Sequence, residues 1–225
     1  MREVIVAKFL DSIEPFLQGI ETVAVVGGSK NEPEIIELKK IKNIKVTTYG
    51  IDDEADYQLD LNIQSESDFK YDLILCSQVL EHLYDVKNGL VNLSNLMSKK
   101  TLLWIGCPAS NKSHGSPFYF SAGYQPELIS KLSTELSLET LIYGKIGTKR
   151  NYFMTHALRI WPTPGELNHP IVKYNFSRLP NKSKLNIFRF FRDLPGRIYS
   201  IFIENKLIDS VEYATETYLL LRRKI

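Results

Sequence analysis

The chain has 225 residues, 44% hydrophobic and 24% charged, which is ample for one sizeable core and thin for two. A formal charge of +2 without a long basic tract gives no reason to expect nucleic acid as a partner. The start, Met1-Arg2-Glu3-Val4-Ile5-Val6-Ala7-Lys8, lacks the apolar core and cleavage site of a signal peptide, and no run of about 18 apolar residues follows, so a cytoplasmic protein without a transmembrane segment is expected. The only cysteines, Cys76 and Cys107, fall near the ends of two predicted strands without the paired spacing of a zinc site. Free buried thiols are expected.

Val4, Ala7, Phe9, Leu10, Ile13, Phe16 and Leu17 recur at three- and four-residue spacings, predicting an amphipathic helix over 3–18 that covers a sheet. Residues 22–26 read as a buried strand, and Gly27-Gly28-Ser29 follows where a strand-to-helix turn belongs. Asn31 is placed to cap a helix with Pro33 in its first turn, running to about Ile41. Alternation over 44–48 predicts a second strand, followed by the acidic turn Asp52-Asp53-Glu54.

Residues 71–77 form an apolar run too short for a helix, which stops at Ser77-Gln78; Asp85 then caps a helix with Val86, Leu90, Leu93 and Met97 on one face. A strand thus runs into a loop and then a helix, and in α/β sheets such loops build the ligand site. Residues 101–106 predict the next strand, ended by Cys107-Pro108, where proline cannot continue the ladder. The segment 109–124 mixes polar, glycine and aromatic residues at the ligand edge. Pro126 opens a helix carrying Leu128, Ile129, Leu132 and Leu136, and 138–146 and 215–221 read as strands. Strands alternating with helices argue for an open α/β sheet with right-handed crossovers.

The stretch 150–212 contains Asn168-His169-Pro170, an aromatic segment and a helical run over 184–207 interrupted at Pro195-Gly196. In that run Phe188, Phe190, Phe191 and Phe202 lie among Arg189, Arg192 and Arg197. A basic, aromatic helix of this kind suits a lid or the interface of a homodimer, with peripheral membrane contact as the other reading.

Asp72-Leu73-Ile74-Leu75-Cys76, followed by Leu80-Glu81-His82, resembles the fourth-strand signature of the class I S-adenosylmethionine-dependent methyltransferases. The resemblance implies a Rossmann-like open, mostly parallel sheet with helices on both faces and an antiparallel last strand. Residues 1–225 would form a single domain with 150–212 as a helical insertion before that strand. It also implies S-adenosyl-L-methionine as methyl donor, S-adenosyl-L-homocysteine as product, and transfer to an oxygen or nitrogen of a small acceptor. Gly27, Gly28 and Ser29 then stand for the nucleotide loop, with fewer glycines than the family pattern and no acid before them; a plain turn is the alternative reading. The acid usual at the end of the second strand falls at Gly50, which leaves Asp52 for the ribose, or for a solvated acidic turn. Asp60-Leu61 resembles the Asp-Leu that meets adenine, against an Asx turn as the alternative. Ser77 and Gln78 complete the cofactor set.

The loop after the fifth strand resembles the aromatic loop of several sugar-modifying members, which implies a sugar or sugar nucleotide of a surface polysaccharide or secondary metabolite as acceptor. Tyr119, Phe120 and Tyr124 are its candidate walls. A hydroxyl acceptor needs a base, for which His114 is the first candidate and His82 the second, while His156 and His169 face either pocket or water. No carboxylate–histidine cluster at ligand spacing stands out, so no metal is expected. Two other readings remain, a non-catalytic scaffold and a nicotinamide-dependent oxidoreductase, the latter weakened by the missing G-x-G-x-x-G turn.

Overall fold

The computed structural model describes residues 2–111, 118–147 and 214–224. The expectations for His114, His156, His169 and the 184–207 helix lie outside these residues. Seven strands form one sheet: β1 (Thr22–Val26), β2 (Lys45–Gly50), β3 (Tyr57–Gln58), β4 (Tyr71–Ser77), β5 (Met97–Pro108), β6 (Leu138–Ile146) and β7 (Glu216–Arg223). Among the described residues the α-helices are α1 (Arg2–Ile13), α2 (Pro33–Ile41), α3 (Val86–Asn95) and α4 (Pro126–Glu135). The strand order is β3-β2-β1-β4-β5-β7-β6. Strands β1 to β5 run parallel, and β7 is antiparallel to both β5 and β6. Winding reverses between β1 and β4, where a doubly wound sheet opens a crevice at its carboxyl edge.

The central strands are apolar on both faces because helices cover both. Leu73 and Leu75 of β4 share one core with Val23, Val25 and Trp104, closed by Phe9 and Ile13 of α1 and Ile35 and Leu38 of α2. Ile74 and Cys76 share the other with Ala24, Val26 and Ile105, closed by Leu90 and Leu93 of α3 and Ile129 of α4. Trp104 lies fully buried, edge-on to Phe9 at 5.4 Å and stacked on Tyr218 at 5.8 Å between ring centroids. Cys76 and Cys107 are free and buried.

Asp72 sits at the amino end of β4, opposite the ligand edge. It accepts hydrogen bonds from the amides of Glu21 and Thr22 at 3.0 and 2.8 Å and from the Thr22 hydroxyl at 2.8 Å. The acid of the fourth-strand signature therefore ties the starts of β1 and β4 together. Burial works against its charge, but these donors, with Lys42 nearby, outweigh it and hold the carboxyl below its ordinary range.

The structure corrects several expected boundaries. The first helix stops at Ile13 and continues as a 3₁₀ turn, Glu14–Gly19, because Pro15 has no amide to give to an α-helical ladder. Glu32, not Asn31, is the N-cap position of α2, and its carboxylate reaches back to the Ser29 amide at 3.3 Å. Met97 opens β5 rather than closing the preceding helix, and β5 runs through Pro108, opposite Glu216 in β7. A proline at the last position of a strand forfeits only one ladder bond. Leu128 is 47% exposed, so the covered face of α4 rests on Ile129 and Leu132.

Candidate functional site

The site begins where β1 ends. Gly27 adopts φ 73°, a left-handed conformation that favours glycine, and its amide donates to Tyr49 O at 2.7 Å, joining the ends of β1 and β2. A Cβ at Gly27 would lie 2.5 Å from Val79 Cγ2, so the turn also needs glycine for close approach to the loop after β4. At Gly28 the nearest atom would be the flexible Glu32 carboxylate, at 2.9 Å. Of the two glycines the first is the demanding one.

This turn opens on a cleft of about 670 Å³. Of the predicted cofactor residues, Gly27, Gly28, Ser29, Asp52, Asp60, Leu61 and Gln78 line it. Ser77 does not; its hydroxyl donates to Glu34 of α2 at 3.3 Å, because the strand's alternation aims it beneath the turn. Gln78 takes φ 59°, with its amide donating to Gly106 O at 2.7 Å and its side chain to Glu216 at 2.8 Å. Gln78 thus links the end of β4 to β5 and β7 as it borders the cleft.

Asp60 Oδ1 accepts from the Asn62 amide at 2.8 Å, forming an Asx turn at the cleft wall. The carbonyl of Leu61 is held by two side chains of α3, Asn88 and Asn92, each at 3.0 Å. These asparagines lie outside the predicted set, although their spacing at 88, 92 and 95 along one side of the helix was a readable signal. Asp52 is also in a turn, with Oδ1 accepting from the Glu54 amide at 3.2 Å.

Lys30 and Thr48 line the cleft as well and were not anticipated. Asp56 joins them, pairing with Lys30 Nζ at 2.6 Å and accepting from the Thr48 amide and hydroxyl at 2.9 and 3.0 Å. The Lys30 ammonium, then the Thr48 amide, bring the Asp56 carboxyl down to about 2. No sequence period connects residues so far apart, which is why this clasp was not legible.

On the opposite wall, the 3₁₀ turn Leu80–His82 carries His82 into the cleft beside Phe118. His82 Nδ1 hydrogen-bonds the Phe118 carbonyl, and Nε2 lies 3.9 Å from the fully buried Glu81 carboxylate. The Glu81 carbonyl accepts from the amides of Phe120 and Ser121 at 2.9 and 3.2 Å, and the Leu80 carbonyl from the Tyr124 hydroxyl at 3.2 Å.

The three expected acceptor walls stand around this turn rather than on the cleft surface. Tyr119 is edge-on to His82 at 6.0 Å, Phe120 pairs with Tyr84 at 5.9 Å, and Tyr124 packs against the core. Burial, then the nearby Glu81 charge, pushes the Tyr119 phenol up; at Tyr124 burial leads, partly offset by a hydrogen bond to Ser121. Burial raises the Cys76 and Cys107 thiols too, with Glu81 adding to it. Among the described residues, no cluster of His, Cys, Asp or Glu could hold a metal ion, and no helix is long and apolar enough to cross a membrane.

No protein-family model matches the chain, and no curated protein matches its sequence. Solved structures do match it. A SAM-dependent methyltransferase from Archaeoglobus fulgidus aligns at a TM-score of 0.54 and 14% identity, covering 100% of this chain and 95% of the other. Coclaurine N-methyltransferase, bound to N-methylheliamine and SAH, aligns at 0.55 and 13%, covering 99% and 70%. The 4+2 cyclase SpnF aligns at 0.50 and 12%, covering 96% and 82%. With the strand order and the antiparallel β7 between β5 and β6, these likenesses establish that the chain has the fold of the class I SAM-dependent methyltransferases.

Proposed function

We propose that this protein is an S-adenosyl-L-methionine-dependent methyltransferase acting on a small molecule. The observation that carries the proposal is the cleft at the point where the sheet reverses, bounded by the left-handed Gly27 turn on one side and the Asp60–Leu61 turn on the other. Such a crevice is where an open α/β sheet takes its ligand. In this reading Gly27, Gly28 and Ser29 lie along the donor's amino-acid end, Asp52 faces the ribose, and Asp60 and Leu61 meet adenine, with Gln78 closing the edge. Phe118 and Tyr119 stand on the acceptor side.

Transfer is a direct displacement in which an acceptor oxygen or nitrogen attacks the S-methyl group. The protein's part is to hold the two in line and exclude water, since the sulfonium charge vanishes as the methyl moves. A hydroxyl acceptor also needs a proton acceptor, for which we propose His114. The resemblance of the aromatic loop to that of sugar-modifying members supports a sugar or sugar nucleotide as acceptor, and the absence of a long basic tract supports reading the protein as a cytoplasmic enzyme without nucleic-acid partners.

Calorimetry with S-adenosylmethionine and S-adenosylhomocysteine, beside NAD and NADP, tests the reading. Binding of the sulfur ligands alone is expected; binding of the nicotinamides alone would overturn it. The Gly50 backbone at the end of β2, where a carboxylate would hold the ribose, favours a second reading as a binding scaffold without turnover. Methyl transfer to a panel of sugar nucleotides separates the two.

A further inference from the structure

We propose that His82 is a positioning residue whose protonated Nδ1 holds residues 118–124 against the cleft. The carbonyl of Phe118 can only accept, so Nδ1 of His82 must carry the hydrogen between them. That fixes the neutral ring as the Nδ1–H tautomer and turns Nε2 toward the Glu81 carboxylate, 3.9 Å away. With Nδ1 committed to the Phe118 carbonyl, the ring that borders the cleft is held in one orientation by the chain that follows β5.

The rest of the turn shows what the latch holds. The amides of Phe120 and Ser121 donate to Glu81 O, the Tyr124 hydroxyl donates to Leu80 O, and the rings of Tyr119 and Phe120 meet those of His82 and Tyr84. Leu80, Glu81, His82 and Tyr84 thus form one platform on which residues 118–124 rest. Only His82 and Phe118 of this contact also line the cleft. Their hydrogen bond is therefore the joint through which the cleft and the loop set each other's position. This deepens the proposed function and, where it speaks of an acceptor side, rests on it.

Asparagine and glutamine separate the roles, since the Asn amide nitrogen falls near the place of Nδ1 and the Gln amide nitrogen near that of Nε2. In nitrogen-15 spectra at alkaline pH the His82 ring, identified by its loss in His82→Asn, is expected to be the neutral Nδ1–H tautomer. A neutral ring protonated at Nε2 overturns the proposal. Hydrogen exchange at the Phe120 and Ser121 amides should be kept in His82→Asn and accelerated about five- to tenfold in His82→Gln, the worth of one partly buried hydrogen bond. Equal protection in both variants also overturns it. Calorimetry of the wild-type protein with S-adenosylhomocysteine runs alongside. Absence of binding there counts against the methyltransferase reading alone, because tautomer and exchange are read without any ligand.

Discussion

Replacing Gly27 by alanine tests the turn on which the cleft depends. Two separate costs are expected. Holding a residue with a Cβ at φ 73° costs ~1–2 kcal/mol. Driving that Cβ to 2.5 Å from Val79 Cγ2 adds overpacking of ~1–3 kcal/mol. The narrower unfolded ensemble of alanine returns ~0.4–1 kcal/mol. A net loss of about 1–5 kcal/mol is expected, readable as a lowered urea midpoint in circular dichroism. Gly28→Ala, which meets only the movable Glu32 carboxylate and has no positive φ, should cost less than about 1 kcal/mol. Shaving the neighbour apportions the loss: Val79→Ala in the Gly27→Ala background should restore the steric part, a coupling of about 1–3 kcal/mol, and leave the backbone part. Additive behaviour of the two changes, or a Gly27→Ala protein within about 0.5 kcal/mol of wild type, would refute this account of the turn.

Asp72→Ala should destabilise the protein by about 2 kcal/mol at neutral pH, since it removes charge-assisted hydrogen bonds to Glu21 and Thr22. Its folded carboxyl titrates below the unfolded one, so that stability is complete above pH ~4 and fades as pH falls through the folded value; acid unfolding of the variant and wild type should converge there. For Asp56 an NMR titration should show a midpoint of about 2, rising toward the ordinary carboxylate range in Lys30→Met. Phe9→Ala should cost about 3–5 kcal/mol in urea unfolding by leaving a void beside Trp104. Cys76 and Cys107 should resist a thiol reagent in the native state and react once denaturant opens the core.

How much was legible follows from how each feature is encoded. The central strands were readable because burial on both faces makes an uninterrupted apolar run, and β1 and β6 fall on the predicted residues. The Gly27 turn and the Asp85 cap were readable because a local constraint selects the residue type; Asp85 does accept from the Asn88 amide, at 3.0 Å. Met97 was misassigned because an apolar residue at helical spacing after Leu93 is indistinguishable from the first inward residue of a strand. Tyr124 looked like a pocket wall because an aromatic on a loop carries no sign of which way it faces; its hydroxyl is held by Leu80 and its ring by the core. The Lys30–Asp56–Thr48 clasp joins residues that only the assembled sheet brings near, and periodicity reports nothing about such pairs.

The placement of β7 between β5 and β6 also dictates an order of events during folding. Leu103 and Thr140 both pair with Leu221, so the two strands on either side meet only through a segment contributed by the far end of the chain. A nascent chain emerging from the ribosome can lay β1, β2, β4 and β5 side by side while β6 still has no ladder partner among the described strands. Such an unpaired strand is a template for association with other molecules. The slowest step in forming the sheet should therefore be insertion of Glu216–Arg223, a closure between distant parts of the chain that topology makes late. A chain cut before Glu216 should retain the β1–β5 ladder, leave β6 undocked and be prone to aggregate.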